Sequence, residues 1–181
     1  MKIVVTQFIT LDGVIEAPNE WSFPYWNDDI AKLKLDELMA ADAHLLGRVT
    51  YEGFAAAWPD RTDEAGFADR MNNLPKYVVS TTLEKAEWNN STILKTDVVA
   101  QIAELKKQPG GDMLVAGSAT LVETLIAHDL VDEYHLLTYP IVVGKGKRLF
   151  KDGSHTKLKL IETKPYDSGV VLLRYQPDRN G

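Results

Sequence analysis

The stretch Asp112 to Leu121 constrains the fold most, because an apolar run stops at a glycine and a helical pattern starts at once. Met113 to Ala116 are apolar without polar alternation, which is typical of a strand buried on both faces. Ser118 stands where a helix N-cap belongs, ahead of apolar residues at helical spacing. Gly117 lets a ligand approach the backbone, beside the free N–H groups of the new helix. Such a corner predicts a phosphate-binding site, although most strand-to-helix turns bind nothing.

A second corner of the same kind follows the predicted strand Ala43 to Gly47, after which Arg48 opens a helix. Arg48 and Thr50 would add a guanidinium group and a hydroxyl to the free backbone donors. A lone arginine is more often part of a surface ion pair. The presence of the Gly117 corner favours anion binding instead. A third predicted strand, Lys76 to Thr82, ends in three hydroxyl residues that either contact a ribose or phosphate or begin a turn.

The rest of the chain alternates strands with helices. Lys2 to Leu11 predict a first strand, and Asp28 to Ala41 predict a helix that Asn27 caps. Through Ala127 the order is strand, helix, strand, helix, strand, strand, helix, strand, helix, which predicts a mostly parallel sheet. Three further strands are predicted over Val131 to Tyr139, Leu158 to Lys164 and Gly169 to Gln176. We therefore expect an α/β fold, a three-layer αβα arrangement whose mixed, mostly parallel sheet has an antiparallel C-terminal hairpin.

Composition excludes several classes of function. The 181 residues suffice for one domain with a sizeable core and are too few for two, so residues 1–181 predict a single domain. The absence of cysteine excludes disulfides, thiolate nucleophiles and thiolate zinc sites. A net charge of −6 argues against a nucleic-acid surface. Short apolar runs and the lack of a signal-peptide pattern predict no membrane attachment and a cytoplasmic location. The histidines lack metal-ligand spacing, so we expect no metal site.

The loop Ala17 to Asn27 is dense in aromatic residues, with Trp21, Phe23, Tyr25 and Trp26 close together. Because they follow no regular period, these side chains either pack onto the domain as a covering loop or line a pocket or an interface. If the loop lines a pocket, Trp21, Phe23 and Trp26 are candidate substrate contacts, and their wall suits a flat aromatic or apolar molecule.

Several short motifs, in this order and spacing, resemble the dihydrofolate reductase-like superfamily. The motifs are Thr10 to Gly13, Leu46 to Glu52, Val78 to Thr82, Val115 to Ser118, Pro140 to Gly144 and Gly146 to Phe150. Within the superfamily the chain is most similar to the reductase domain at the carboxyl end of the bacterial bifunctional riboflavin-biosynthesis deaminase-reductase. The likeness covers nearly the whole chain and implies the dihydrofolate reductase-like fold.

The resemblance also implies an NADPH-dependent reductase that transfers hydride to a small heterocyclic substrate, pteridine- or aminopyrimidine-like. By this likeness the cofactor contacts are Gly47, Arg48, Val49 and Thr50 at its phosphates, Ser80, Thr81 and Thr82 at the adenosine 2′-phosphate, Gly117, Ser118, Ala119 and Thr120 at the pyrophosphate, and Thr10 and Ile15 along the nicotinamide. Hydride transfer requires close, oriented reactants more than a protein nucleophile, which agrees with a site built for positioning.

The resemblance leaves the catalytic acid and the substrate less defined. Dihydrofolate reductases carry an acidic residue on the helix after the first loop, which holds the pteridine and assists its protonation. Asp29 is the candidate for this role, while Asp28 and Asp29 are equally explained as acids at a helix N-terminus. The riboflavin-pathway reductase handles a phosphoribosyl substrate, whereas the loop Ala17 to Asn27 contains no basic cluster.

Two hypotheses follow from these observations. Either the chain is a reductase, which the agreement of three strand ends favours, or it is a non-catalytic ligand- or partner-binding protein that keeps the reductase fold. The antiparallel ending also predicts an edge strand that can pair between subunits, so we expect a homodimer.

Overall fold

Eight strands and five α-helices alternate along residues 1–179, the part of the chain that the computed structural model describes. The strands are β1 (Lys2–Thr10), β2 (Ala41–Gly47), β3 (Lys76–Val79), β4 (Ser91–Leu94), β5 (Asp112–Ala116), β6 (Glu133–Tyr139), β7 (Leu158–Pro165) and β8 (Val171–Pro177). The helices are α1 (Asp28–Ala40), α2 (Arg48–Ala57), α3 (Phe67–Asn73), α4 (Val98–Lys107) and α5 (Ala119–Ala127). Asn180 and Gly181, the end of the predicted single domain, lie outside the described residues.

All eight strands belong to one sheet, in the order β4-β3-β2-β5-β1-β6-β8-β7. The pairs from β4 to β6 are parallel, and β8 pairs antiparallel with both β6 and β7. In the centre, Thr6 of β1 lies between Ala116 of β5 and His135 of β6. The predicted α/β fold, with a mostly parallel sheet and an antiparallel C-terminal hairpin, is confirmed.

Helices cover both faces of the sheet because successive side chains of the central strand point to opposite sides. Ile3 and Val5 of β1 belong to a core that includes Ile102 of α4 and Leu125 of α5. Val4 belongs to the opposite core, which the side chains of α1, α2 and α3 complete. Strands buried on both faces read as continuous apolar runs, which is why β1 and β5 were recognisable from the sequence. None of the helices within residues 1–179 is long and apolar enough to cross a membrane.

Helix α1 begins where the sequence predicts. The Oδ1 atom of Asn27 accepts a hydrogen bond from the N–H of Ile30 at 3.0 Å, so the predicted N-cap is confirmed. The helix ends at Ala40, one residue before the predicted end. Within this helix Met39 is 44% exposed, whereas Glu37 is buried. The sequence of the helix does not indicate this burial, because a carboxylate is buried only where the fold supplies partners for its charge.

Candidate active site

The two glycine corners meet at the carboxyl ends of the neighbouring strands β2 and β5. A β-carbon added to Gly47 would lie 2.8 Å from Ser118 Cβ, and one added to Gly117 would lie 2.6 Å from Thr50 Oγ1. Neither position has room for a side chain. Both helices that start there, α2 and α5, therefore direct their N-termini to one region, as the two corners predict.

A glutamine of the central strand holds the Gly117 corner in place. Gln7 Nε2 donates to the carbonyl oxygen of Gly117 at 3.0 Å, and Gln7 Oε1 accepts from the N–H of Gly117 at 3.2 Å. Gly117 and Ser118 both have left-handed backbone conformations, with φ of 63° and 54°. Ser118 occupies the predicted N-cap position of α5, but its side chain makes no capping hydrogen bond. The first N–H groups of α5 are therefore left without a side-chain cap.

Arg48 forms an ion pair and also lines the cleft. Its Nη1 atom donates to both carboxylate oxygens of Glu52, at 2.8 and 3.0 Å, and both side chains are exposed. Arg48 also lines the large cleft beside the two corners. A guanidinium group has five N–H donors, so an ion pair through Nη1 alone leaves donors for an anion in the cleft.

The cleft has a volume of about 1810 Å³. Sites for one drug-sized ligand are usually about 300–1,000 Å³, so the cleft has room for two ligands of that size. The corner residues Gly47 and Gly117 form one part of the lining, which we call the corner end. Aromatic and apolar side chains form another part, which we call the aromatic end: Phe8, Trp26, Leu35, Phe54, Trp58 and Phe67.

Nine of the predicted cofactor contacts line this cleft: Ile15, Gly47, Arg48, Val49, Thr50, Gly117, Ser118, Ala119 and Thr120. Thr10 does not, because its side chain is buried in the turn that follows β1. Its Oγ1 atom donates to Asp12 Oδ1 at 2.6 Å and accepts from the N–H of Val14 at 3.0 Å. The hydroxyl thus stabilises the turn that directly precedes Ile15.

The hydroxyl residues after β3 also lie outside the cleft lining. The strand ends at Val79, earlier than predicted, and Val79 itself lines the cleft. Ser80 Oγ accepts the N–H groups of Thr82 and Leu83 at 3.2 and 2.9 Å, which closes a turn. Thr81 and Thr82 are exposed. They remain at the same sheet edge as Gly47, because Gly47 pairs with Val79 in parallel register.

The aromatic loop divides between packing and the cleft. Trp21 is buried, packs edge-on against Tyr139 with the ring centres 5.2 Å apart, and donates from Nε1 to the carbonyl oxygen of Glu16. It does not line the cleft. Phe23 and Trp26 do line it, and they are 68% and 43% exposed. Both interpretations of the loop therefore hold, each for different side chains.

Asp29 lies in the first turn of α1, is exposed and is not among the residues that line the cleft. The same helix brings Ala31, Lys34 and Leu35 to the cleft. The cleft therefore receives a cation from α1 where the resemblance implies an acid.

Lys34 belongs to a buried polar network that the sequence did not reveal. Its Nζ atom lies 2.6 Å from Glu37 Oε2 and 2.8 Å from Thr6 Oγ1, and Thr6 in turn donates to Glu37 Oε2 at 3.1 Å. His135 Nδ1 lies 2.8 Å from Glu37 Oε1, and its Nε2 lies 3.2 Å from Glu133 Oε2. The available signal was polar Thr6 and Gln7 in the middle of an otherwise apolar central strand.

This network keeps Glu37 ionised. Burial alone would raise the pKa of Glu37, but the charge of Lys34 and the hydrogen bond from His135 outweigh burial and lower that pKa to about 2. The carboxylate therefore remains an anion throughout the neutral range, paired with Lys34 beside the cleft.

Comparison with known proteins agrees with the fold. YyaP of Bacillus subtilis strain 168, an uncharacterised protein, is 32% identical over 96% of this chain and 94% of its own length. A solved structure from Shewanella sp. PV-4, named for riboflavin biosynthesis, has a TM-score of 0.78 at 21% identity and covers 99% of this chain and 100% of its own. The dihydrofolate reductase of Enterococcus faecalis, solved with NADP(H), has a TM-score of 0.66 at 16% identity, over 98% and 96% of the two chains.

The model of one family matches residues 1–172, which include all of the cleft described above. The earlier resemblance to the reductase domain of the riboflavin-biosynthesis enzyme is thereby confirmed. The chain belongs to the RibD C-terminal domain family.

Proposed function

We propose that the chain is an NADPH-dependent reductase that acts on a small heterocyclic molecule, pteridine- or aminopyrimidine-like. The observation that carries this proposal is the contact between the two glycine corners, Gly47 with Ser118 and Gly117 with Thr50. Two helix N-termini and a guanidinium group at one place are the donors that a multiply charged dinucleotide requires.

The residues at the corner end fit such a cofactor. Gly47 and Gly117 allow close approach to the backbone, the N-terminus of α5 has no side-chain cap, and Arg48 retains free N–H groups. When bound, a nicotinamide cofactor supplies hydride. The work of the chain is then to bind and orient the two molecules and to exclude water between them. A cleft of about 1810 Å³ accommodates a cofactor and a substrate together.

Family membership and the neighbouring folds support the reductase assignment. The Enterococcus faecalis protein whose fold this chain shares was solved with NADP(H). A pyrimidine reductase-like protein from Corynebacterium diphtheriae also shares this fold, with a TM-score of 0.71 at 14% identity. Fold alone does not define a reaction, so the assignment depends on the geometry of the corner end.

The test is the affinity for NADPH and NADH, measured by isothermal titration calorimetry on the wild-type chain and on Arg48→Ala. We expect saturable binding, tighter for NADPH, that Arg48→Ala weakens by about tenfold, the effect of one charge-assisted hydrogen bond. The matched control is Arg174→Ala, which removes an arginine that also pairs with a glutamate, Glu162, away from the cleft.

A chain that binds neither nicotinamide cofactor would overturn the proposal. It would favour the alternative, a non-catalytic ligand- or partner-binding protein with the reductase fold. An equal loss of affinity in Arg48→Ala and Arg174→Ala would contradict the role of Arg48 in the site.

A further inference from the structure

The aromatic end of the cleft includes two pairs of neighbouring aromatic rings. Phe8 and Trp26 are neighbours, with ring centres 6.1 Å apart, and Trp58 and Phe67 form a second pair at 5.3 Å. All four rings line the cleft. Walls of this kind favour a planar ring system, because aromatic rings bury large apolar areas and stack with preferred geometries.

Lys34 places a partly buried charge at this end. Its side chain is 17% exposed, and its Nζ atom lies 5.6 Å from the centre of the Phe8 ring. An ammonium group has three N–H donors. In the described part of the chain, Thr6 and Glu37 accept two of them, which leaves one donor for a molecule in the cleft.

The position of Lys34 is fixed by its partner Glu37, which has further contacts inside the protein. Glu37 is 5% exposed and accepts from Lys34 and Thr6 through one oxygen and from His135 through the other. A group held by three contacts cannot swing away to pair with a ligand of its own. The network therefore presents a donor to the cleft and no carboxylate acceptor.

The other charged groups around this end are engaged with neighbouring residues. Arg61 lies over the Trp58 ring at 5.0 Å, and Lys32 is paired with Asp36 on the surface. The carboxylate of Asp63 is used to accept the N–H groups of Phe67 and Ala68 at the start of α3. Glu16, the other carboxylate in the described lining, lies 3.8 Å from Lys147 Nζ through Oε1 and accepts the N–H of Lys147 at 3.2 Å through Oε2. Both carboxylates of the lining therefore already have partners within the protein, whereas Lys34 keeps one free donor.

We propose that the aromatic end binds a flat aromatic molecule that carries an acceptor oxygen, carbonyl or carboxylate, and that this oxygen takes the remaining N–H of Lys34. The inference rests on the proposed function only in assigning the corner end to the cofactor. It narrows the substrate class: the carbonyl edge of a pyrimidine-type ring fits Lys34, and a cationic or donor-only edge does not.

The experiment compares three probes of one shape by ligand-observed NMR titration: 2-naphthoate, 2-naphthamide and 2-naphthylmethylamine. We expect 2-naphthoate to bind the wild-type chain at least about tenfold more tightly than the amine, with the amide between them, since a charge-assisted hydrogen bond is gained in one case and lost in the other. NADPH affinity is measured on the same samples.

Two variants and one control isolate Lys34. Lys34→Met with Glu37→Gln removes the cation without leaving a buried carboxylate unpaired, and we expect it to abolish the preference while NADPH affinity stays within twofold. Lys34→Arg keeps the charge and should keep the preference. Lys107→Met is the matched control, because Lys107 pairs with Glu104 three residues away on an exposed surface, as Lys34 pairs with Glu37 in the interior.

Equal affinity for the three probes, or a preference that survives Lys34→Met with Glu37→Gln, would overturn the inference. If the double variant does not fold, the ranking of the probes on the wild-type chain decides. A naphthoate preference in a chain that does not bind NADPH would support the aromatic-end site and overturn the reductase proposal, so the two failures are distinguishable.

Discussion

Ser118 leaves no room for a side chain on Gly47, since a methyl group added there would lie 2.8 Å from Ser118 Cβ. The backbone of Gly47 has φ of −78°, which alanine adopts readily. Gly47→Ala therefore tests the close packing against Ser118, without an effect of backbone strain. We expect it to lower the free energy of unfolding by about 1–3 kcal/mol, the usual cost of overpacking, and to weaken NADPH binding at least about tenfold.

The comparison for this prediction is Gly53→Ala in α2, the helix that begins directly after Gly47. A β-carbon at Gly53 meets nothing within 4 Å, so we expect a gain in stability of up to about 1 kcal/mol. Chemical denaturation measures both variants. Unchanged stability and NADPH affinity in Gly47→Ala would show that the two corners are not the tight junction described here.

Glu37 makes stability depend on pH in the acid range. The folded pKa of about 2 lies below the ordinary value of 4.5, so the unfolded chain binds the proton more readily. The contribution of ionised Glu37 to the free energy of unfolding is fully present above pH 4.5 and is lost as the pH falls toward 2. It amounts to on the order of 3 kcal/mol.

We expect the stability difference between the wild-type chain and Glu37→Gln to shrink over that window, as measured by urea denaturation at several pH values. Glu104→Gln, on the exposed face of α4, should track the wild type at each pH. A difference that does not vary between pH 5 and pH 3 would be inconsistent with an ionised, buried Glu37.

His44 makes the free energy of unfolding depend on pH as well, over a window that begins at higher pH. Burial, reinforced by the charge of Lys76, lowers the pKa of His44 from 6.5 to about 3. The folded state therefore favours the neutral ring, and this stability is present above pH 6.5 and lost as the pH falls toward 3. We expect His44→Leu to flatten the loss of stability between pH 6.5 and pH 4. His128→Leu, exposed at the end of α5, should leave that slope unchanged.

The edge strand β7 provides the test of the predicted homodimer. It is the last strand of the sheet, and Leu160 and Ile161 on it are each 49% exposed. An exposed apolar edge is a surface that pairs with a second copy. We expect the wild-type chain to elute as a dimer in size-exclusion chromatography with light scattering, and Ile161→Lys to shift it to a monomer. If Val142→Lys, at an exposed apolar position outside β7, dissociates the chain instead, the interface lies elsewhere.

The corner end was predictable because its signals are local. A buried strand, a glycine and a helix start stand next to each other in the chain, and parallel strands bring their carboxyl ends to one edge. The hydroxyl residues Thr10 and Ser80 follow the same pattern, yet their oxygens are consumed by turns. Sequence alone does not distinguish a hydroxyl that faces a ligand from one that closes a turn.

Trp26 of the aromatic end was among the predicted contacts, but the polar network beside it was not predictable, because its residues come together only in the fold. Lys34 and Thr6 are 28 residues apart, and His135 is 98 residues from its partner Glu37. A lysine and a glutamate three residues apart on a helix indicate an exposed ion pair far more often than a buried one. Asp29 was the candidate for the catalytic acid because acids at a helix N-terminus are easily recognised in a sequence. Glu37 has no such sequence signal.

Three consecutive residues of β1 serve both halves of the cleft. Gln7 secures the backbone of Gly117, while Thr6 and Phe8 on the opposite side of the strand contact Lys34. A cofactor and a substrate bound as we propose would therefore both depend on the position of β1. We expect their affinities to be linked, so that each molecule binds with a different affinity when the other is present.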